Sequence, residues 1–211
     1  MRVVEQSATI ISPIPANVLE LLERIGRVCY KSESNITSGS AEKFISNVLS
    51  RGHEAMIEHF SVSVLCVTDR GISHEIVRHR IASYAQESTR YCCYSKDKFG
   101  GEITVVVPHE IQSSKNPDNY KDWVSACKNA EAMYLRMLQR GISPQSARSV
   151  LPTCLKTEIV VTMNLREWRH FFKMRCSKRA HPDMQILANI ILSQMKQAIP
   201  VLFDNIQTQE T

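Results

Sequence analysis

Apolar residues in this chain repeat with two different periods, and the order of those periods limits the folds that it can adopt. Residues 61–68 read SVSVLCVT and alternate apolar with polar side chains, which predicts a strand. Residues 16–30 place their apolar side chains on one helical face. Helices and strands are intermixed without the regular strand–helix–strand order of a parallel sheet, and no Gly-rich dinucleotide-binding motif is present. We therefore predict an α+β fold, with a mostly antiparallel sheet packed with helices.

The same patterns predict the other elements. Further strands are expected at residues 2–11, 103–107 and 155–163. Further helices are expected at residues 40–50, 71–80, 120–140, 144–151, 164–175 and 182–203. Residues 82–89 are predicted to be an irregular loop, and residues 109–119 an exposed connection. Because the chain shows no internal repeat and no linker, residues 1–211 are predicted to form a single domain.

Composition excludes several classes of protein. The chain has 43% hydrophobic and 22% charged residues, which is ordinary for a globular protein. A net charge of +5 suits an anionic substrate or a nucleic acid. No apolar run is long enough to span a membrane and no signal-peptide pattern is present, so we expect a cytoplasmic protein with no membrane partner. The seven cysteines are scattered without a C-x-x-C pair, which predicts reduced thiols and no metal site.

Residues 78–91, RHRIASYAQESTRY, concentrate three arginines, one histidine and the hydroxyls of Ser83, Ser88 and Thr89. Two interpretations are open. Arg78 and Arg80 could be solvated cations that complement the negative end of a helix dipole. Alternatively, a junction between helix and loop could direct guanidinium groups towards an anionic ligand. Composition alone does not decide between them.

A second basic stretch lies at residues 164–181. Between 165 and 181 six cationic residues accompany one acid, Glu167. Asn164 followed three residues later by Glu167 predicts a helix N-cap. Arg175 lies seven residues after Trp168, on the apolar stripe of the helix, so it either extends its charge to solvent or points into a half-buried pocket.

Two other kinds of site are considered, a nucleic-acid-binding surface and a zinc site. A nucleic-acid-binding module is the alternative function, with the following aromatic residues as base-stacking candidates: Tyr91, Trp168, Phe171 and Phe172. An H-E-x-x-H zinc motif at His53-Glu54 would require histidine at position 57, where Ile57 stands. The inverse motif, H-x-x-E-H ending at Glu58-His59, would require histidine at position 55, where Ala55 stands. The zinc patterns therefore fail.

Three blocks of the chain resemble the flavin-dependent thymidylate synthases. Arg78-His-Arg is followed after seven residues by Ser88 and then by Arg90-Tyr91. The other blocks are residues 52–59 (GHEAMIEH) and the stretch that begins at residues 147–152 (ARSVLP) and continues from 164 to 181. Together they cover roughly half of the chain, and four positions at set spacing are more specific than a short glycine motif.

The resemblance implies a site for each of two ligands. Residues implied to bind flavin adenine dinucleotide (FAD) are His53, Glu58, Arg78, His79, Arg80, Gln86, Asn164, Leu165, Arg166 and His170. Residues implied to bind deoxyuridine monophosphate (dUMP) are Glu75, Arg78, Gln86, Glu87, Ser88, Thr89, Arg90, Arg148 and Arg175. Arg175 is implied to activate the pyrimidine. Ser88 is expected to position the nucleotide rather than to act as a nucleophile, because no histidine lies in its loop to activate it.

The reaction implied by the resemblance is the reductive methylation of dUMP to thymidine monophosphate (dTMP). Methylenetetrahydrofolate would supply the carbon, and a reduced pyridine nucleotide, NADPH or NADH, would reduce FAD, which carries the hydride. The resemblance also implies a homotetramer with shared active sites and no nucleic-acid partner.

Overall fold

The computed structural model describes residues 1–96 and 99–206. Its strands are β1 (Arg2–Val4), β2 (Ser7–Ile10), β3 (Ser61–Asp69), β4 (Ser83–Gln86), β5 (Thr104–Val106) and β6 (Lys156–Asn164). Its α-helices are α1 (Val18–Tyr30), α2 (Ser40–Ser50), α3 (Arg70–Ile76), α4 (His109–Gln112), α5 (Pro117–Gln139), α6 (Pro144–Ala147), α7 (Leu165–Arg175), α8 (Pro182–Ala198) and α9 (Pro200–Phe203). Short 3-10 helices occupy Glu33–Asn35, Ala55–His59 and Arg148–Val150.

The strands form two sheets, which confirms the predicted α+β class. A four-stranded antiparallel sheet has the order β2-β3-β6-β4. A smaller parallel sheet pairs β1 with β5, so that Val3 lies opposite Val105. In β3 and β6, buried side chains alternate with less buried ones, as their sequence periods predict. Within the described ranges, no helix has the length and apolar character needed to cross a membrane.

The chain folds into two compact units, each built from segments that are distant in sequence. Within the described residues, unit 1 comprises residues 1–7, 66–78, 85–96 and 99–159, and unit 2 comprises residues 8–65, 79–84 and 160–206. Unit 1 has a hydrophobic core around Tyr134, which is fully buried and packs with Ile103, Val105 and Leu155. The prediction of a single domain over residues 1–211 stays a prediction.

In unit 2, aromatic side chains of α7 form the centre of the core. The Trp168 ring stacks on Phe172 at 5.7 Å between centroids, and Phe172 meets Phe203 edge-on at 5.7 Å. The indole Nε1–H of Trp168 donates to the carbonyl of Val62 at 3.0 Å, so the polar atom of this buried ring is satisfied. α7 begins where predicted, because the Asn164 side chain accepts from the Glu167 amide at 2.8 Å.

Several predicted boundaries were wrong. The strand expected at residues 2–11 is two strands, β1 and β2, which belong to different sheets. The connection expected at 109–119 contains α4 and the start of α5. The Asn116 side chain caps α5 by accepting from the Asp118 amide, and Pro117 is the first residue of the helix. The last helix is divided at Ile199, because Pro200 cannot donate the next helical hydrogen bond.

The junction at residues 71–89 also differs from its prediction. α3 ends at Ile76, so Arg78, His79 and Arg80 lie beyond the helix rather than on it. The expected loop at 82–89 contains β4. The predicted helix at residues 71–80 therefore extends four residues too far at its C-terminal end, and the directions of these three side chains depend on the contacts that each residue makes.

Candidate active site

Four residues predicted to bind the flavin line a single groove in unit 2. This groove, called the α7 groove below, has a cavity volume of about 500 Å³. Its lining residues are Glu54, Glu58, Ile81, Asn164, Arg166, Glu167, His170 and Lys173. The structure thus brings together Glu58, Asn164, Arg166 and His170, although Glu58 is far from the other three in sequence.

Acidic residues of the 52–59 block pair with cationic side chains of α7. An Arg166 Nη1 atom lies 2.5 Å from a Glu58 carboxylate oxygen, and this contact raises the pKa of Arg166. Arg169 is almost fully buried, and its Nε atom donates to Glu54 at 3.0 Å. Lys173 lies 3.7 Å from the same Glu54 carboxylate. The basic stretch read from the sequence is therefore partly neutralised, and its most buried arginine has a structural role.

Buried His79 and Glu167 and half-buried Arg175 form a chain of hydrogen bonds. His79 Nδ1 lies 3.0 Å from Glu167 Oε1, and the Nε–H of Arg175 donates to His79 Nε2 at 3.1 Å. Burial lowers the pKa of His79, and the hydrogen bond to Glu167 opposes that shift. Ligand atoms of His79, Glu167 and His170 lie within 4.8 Å of one another, but both His79 nitrogens are already engaged. These hydrogen bonds fix the orientation of the His79 imidazole.

The remaining flavin candidates in unit 2 have different surroundings. His53 is exposed, and its Nδ1 lies 2.6 Å from the Tyr30 hydroxyl. Leu165 is fully buried, and its amide donates to the carbonyl of Phe60 at 2.9 Å. Arg80 is exposed, and it is followed by Ile81, an apolar side chain with 67% exposure. Their assignment to a flavin stays a prediction.

The residues predicted to bind the nucleotide lie in unit 1, apart from Arg175, and Glu87 is the best connected of them. Its carboxylate accepts from the Tyr94 hydroxyl at 2.9 Å and from Lys156 Nζ at 3.1 Å. Its carbonyl accepts from Arg70 Nη1 at 3.1 Å, and its amide donates to the Glu158 carbonyl at 2.8 Å. These contacts hold the end of β4 in place, where the predicted substrate loop begins.

Other residues of that loop are anchored through side chains. Thr89 is buried, and its hydroxyl accepts from Arg148 Nη1 at 2.9 Å. The Ser88 hydroxyl accepts from the Arg90 amide at 3.3 Å, and the Arg90 guanidinium lies over the Tyr91 ring at 5.5 Å.

The predicted residues just before this loop differ in exposure. The Gln86 amide group donates to Ser73 Oγ at 2.9 Å and to Thr157 Oγ1 at 3.2 Å. Glu75 is half-buried, whereas Arg78 is exposed. The structure groups the residues of the loop, and their roles stay predictions.

Sequence reasoning missed several residues of these sites. Glu167 was interpreted only as part of a helix start, yet it was the single acid in a basic stretch, and such a residue is expected to find a cation or a histidine. Glu54 was considered only as part of a zinc motif, in which it would be the general base. Tyr94 lies seven residues from Glu87, but the segment between them has no periodic apolar pattern that would predict a helix, and Lys156 is 69 residues away, so the sequence gives no signal for either partner.

The nucleic-acid alternative loses its main support. Trp168, Phe171 and Phe172 are 1%, 1% and 0% exposed, so their faces cannot stack on bases. Tyr91 is 78% exposed, but a single exposed ring does not form a stacking platform. The aromatic spacing that suggested this class reflects the core of unit 2.

Comparison with known proteins agrees with the motifs. Residues 15–201 match the family model described as thymidylate synthase complementing protein. A flavin-dependent thymidylate synthase of Pyrococcus furiosus is 35% identical over 177 residues, which cover 83% of this chain and 70% of the relative. A flavin-dependent thymidylate synthase of Geobacter sulfurreducens is 34% identical over 185 residues, which cover 84% of this chain and 77% of the relative.

A solved structure supports the fold. The crystal structure of a UMP/dUMP methylase from Streptomyces cacaoi, bound with 5-Br dUMP, superposes with a TM-score of 0.80. The superposition covers 97% of this chain and 96% of that one, at 21% sequence identity. From the family match, the two relatives and the signature at Arg78–Ser88, the chain belongs to the flavin-dependent thymidylate synthase family.

Proposed function

We propose that this chain catalyses the reductive methylation of dUMP to dTMP, with methylenetetrahydrofolate as the carbon donor and NADPH as the reductant of FAD. Its membership of the flavin-dependent thymidylate synthase family supports the activity. The structural observation that carries the proposal is the α7 groove, where four residues chosen from the motifs meet around one cavity.

The groove suits FAD by the chemistry of its lining. Arg166 and Lys173 offer cationic donors for a pyrophosphate, and Asn164 and His170 offer polar groups for hydroxyl and ring atoms. The exposed side chain of Ile81 offers an apolar surface for a flat ring. Bound FAD would supply hydride-transfer chemistry, while these residues bind and orient it. Glu54 and Glu58 hold the cations in place beside the cavity.

On the nucleotide side, the roles are binding and polarisation. Ser88, Thr89 and Arg90 follow the anchored end of β4 and would bind the nucleotide. The half-buried Arg175 would stabilise negative charge on the pyrimidine ring, which makes its carbon a better nucleophile. At about 4 Å and an effective dielectric constant near 20, a guanidinium stabilises a unit charge by about 4 kcal/mol before desolvation is subtracted. A permanent charge and a planar fork suit arginine to this role better than lysine.

The activity is tested by incubating purified protein without oxygen with FAD, dUMP, methylenetetrahydrofolate and NADPH. We expect dTMP by chromatography, and none when FAD or dUMP is left out. Arg175→Ala should abolish most of the product, whereas Arg24→Ala, which removes an exposed arginine of α1, should leave it unchanged. Absence of dTMP from protein shown to be folded by circular dichroism would refute the function.

The assembly is part of the same proposal. A homotetramer with shared sites is expected in a cytoplasmic enzyme that must hold a nucleotide, a flavin and a folate together. Mixing inactive Arg78→Ala with inactive Arg90→Ala protein should restore activity if the two arginines enter one site from different subunits. Light scattering that detects an active monomer would contradict the assembly.

A further inference from the structure

Arg175 is held by a specific hydrogen bond rather than extended into solvent. It is the last residue of α7 and is half-buried. Its Nε–H donates to Nε2 of His79 at 3.1 Å. Because the guanidinium is fixed through its Nε atom, the direction of its two terminal nitrogens depends on the position of the His79 ring.

The protonation state of His79 follows from this contact. An arginine Nε–H can only donate, so His79 Nε2 must accept and carries no proton. The single ring proton is therefore on Nδ1, which donates to Glu167 Oε1 at 3.0 Å. His79 is 7% exposed and Glu167 is 8% exposed, so water does not compete readily for either hydrogen bond.

Other contacts in unit 2 restrain the backbone of His79 and pack against its ring. The Tyr84 hydroxyl donates to the carbonyl of His79. Burial raises the pKa of Tyr84 to about 12, so this donor keeps its proton at neutral pH. The Phe171 ring lies 5.0 Å from the His79 ring, and the His170 ring lies 5.8 Å from it, on the side of the α7 groove.

We propose that Glu167 is a positioning residue, which acts through His79 to hold Arg175 in its working orientation. A carboxylate on Nδ1 selects the tautomer in which Nε2 is an acceptor, and only that tautomer can receive the Arg175 Nε–H. The role deepens the proposed function, on which it rests, because Arg175 is the residue expected to polarise the pyrimidine. It also explains why the one acid of the basic stretch is buried.

The test compares Glu167→Gln with wild-type protein. Glutamine keeps the shape, but its amide group can donate as well as accept, so it no longer selects one tautomer. We expect ¹⁵N spectra of the full chain, without substrate, to show the proton of wild-type His79 on Nδ1. A measurable Nε2–H population should appear in Glu167→Gln. The His79 signals are assigned by their loss in His79→Gln.

Turnover provides the second measurement. A misplaced guanidinium should lower kcat on the order of 10²-fold, with a smaller change in KM for dUMP. Glu167→Asp keeps the charge and should recover part of the rate. Glu42→Gln, at an exposed acid of α2, should match wild type in both measurements. A purely structural role for Glu167 would instead lower thermal stability while leaving the tautomer and the kcat of the folded enzyme unchanged.

Two results would overturn the proposal. One is a wild-type His79 that carries its proton on Nε2 or on both nitrogens. The other is a Glu167→Gln protein with the wild-type tautomer and kcat. If Glu167→Gln does not fold, the wild-type spectrum and Glu167→Asp still decide the question. Because the spectra need no substrate, failure of the dTMP assay refutes the proposed function and is distinct from failure of the Glu167 role.

Discussion

Replacing Tyr94 by phenylalanine removes one hydroxyl group that supports the predicted substrate loop. Tyr94 is 6% exposed, and its hydroxyl donates to Glu87 Oε1 at 2.9 Å. Burial and the Glu87 charge both raise the pKa of Tyr94, so the hydroxyl is a donor throughout the neutral range. Tyr94→Phe therefore deletes a hydrogen bond to a carboxylate without changing the shape of the ring.

The size of the stability loss depends on the hydrogen-bond partners that Glu87 keeps in Tyr94→Phe. A hydrogen bond to a charged group contributes about 1.5–3 kcal/mol to stability. The Glu87 side chain is 13% exposed, and Lys156 Nζ lies 3.1 Å from its other oxygen, so the carboxylate keeps one strong partner. We therefore expect the lower part of that range, a loss of about 1.5–2 kcal/mol in the free energy of unfolding.

Urea unfolding followed by circular dichroism measures this loss. Tyr120→Phe is the matched control, because Tyr120 is 41% exposed and should change stability by less than about 0.5 kcal/mol. A double-mutant cycle with Glu87→Gln should give a coupling energy of about 1 kcal/mol. If Tyr94→Phe unfolds within about 0.5 kcal/mol of wild type, the Tyr94–Glu87 hydrogen bond does not stabilise the loop as argued.

Four further predictions concern other groups. Arg175→Ala should cripple turnover while FAD still binds, and Arg175→Lys should recover only part of it; near-wild-type kcat for Arg175→Ala would show that the charge has no role. Ser88→Ala should reduce turnover by about 10- to 100-fold and retain activity, and a substrate adduct on Ser88 in mass spectra would contradict this. Because burial lowers the pKa of His79, the unfolded chain gains a proton before the folded chain as pH falls below 6.5. The free energy of unfolding of the wild-type protein should then decline, as pH falls, by at most about 1.4 kcal/mol per pH unit relative to that of His79→Gln. Parallel pH profiles of stability for the two proteins would refute this. Cys29 is exposed, whereas burial raises the pKa of Cys66 to about 12; a thiol reagent at pH 8 should therefore modify Cys29 first, and a fast phase that persists in Cys29→Ser would be inconsistent with this.

The parts of the fold that depend on neighbouring residues could be predicted from the sequence. α2 begins and ends where its apolar period predicts. β3 ends one residue later than predicted, and β6 begins and ends one residue later than predicted. Asn164 caps α7 because its partner, the Glu167 amide, is only three residues away. The motifs also predict Glu58, Asn164, Arg166 and His170 as site residues, and all four line the α7 groove.

The contacts that orient the candidate site were decided by the tertiary structure. The partners of His79, Arg175 and Arg169 are 88, 96 and 115 residues away in sequence. Periodicity and capping rules act over a few residues and contain no information about such partners. The division of residues 2–11 into β1 and β2 has the same cause, because each half pairs with a strand from a different part of the chain. The sequence thus determined which residue types were present for the chemistry. Long-range packing determined which imidazole nitrogen of His79 faces Glu167 and where Arg175 is held.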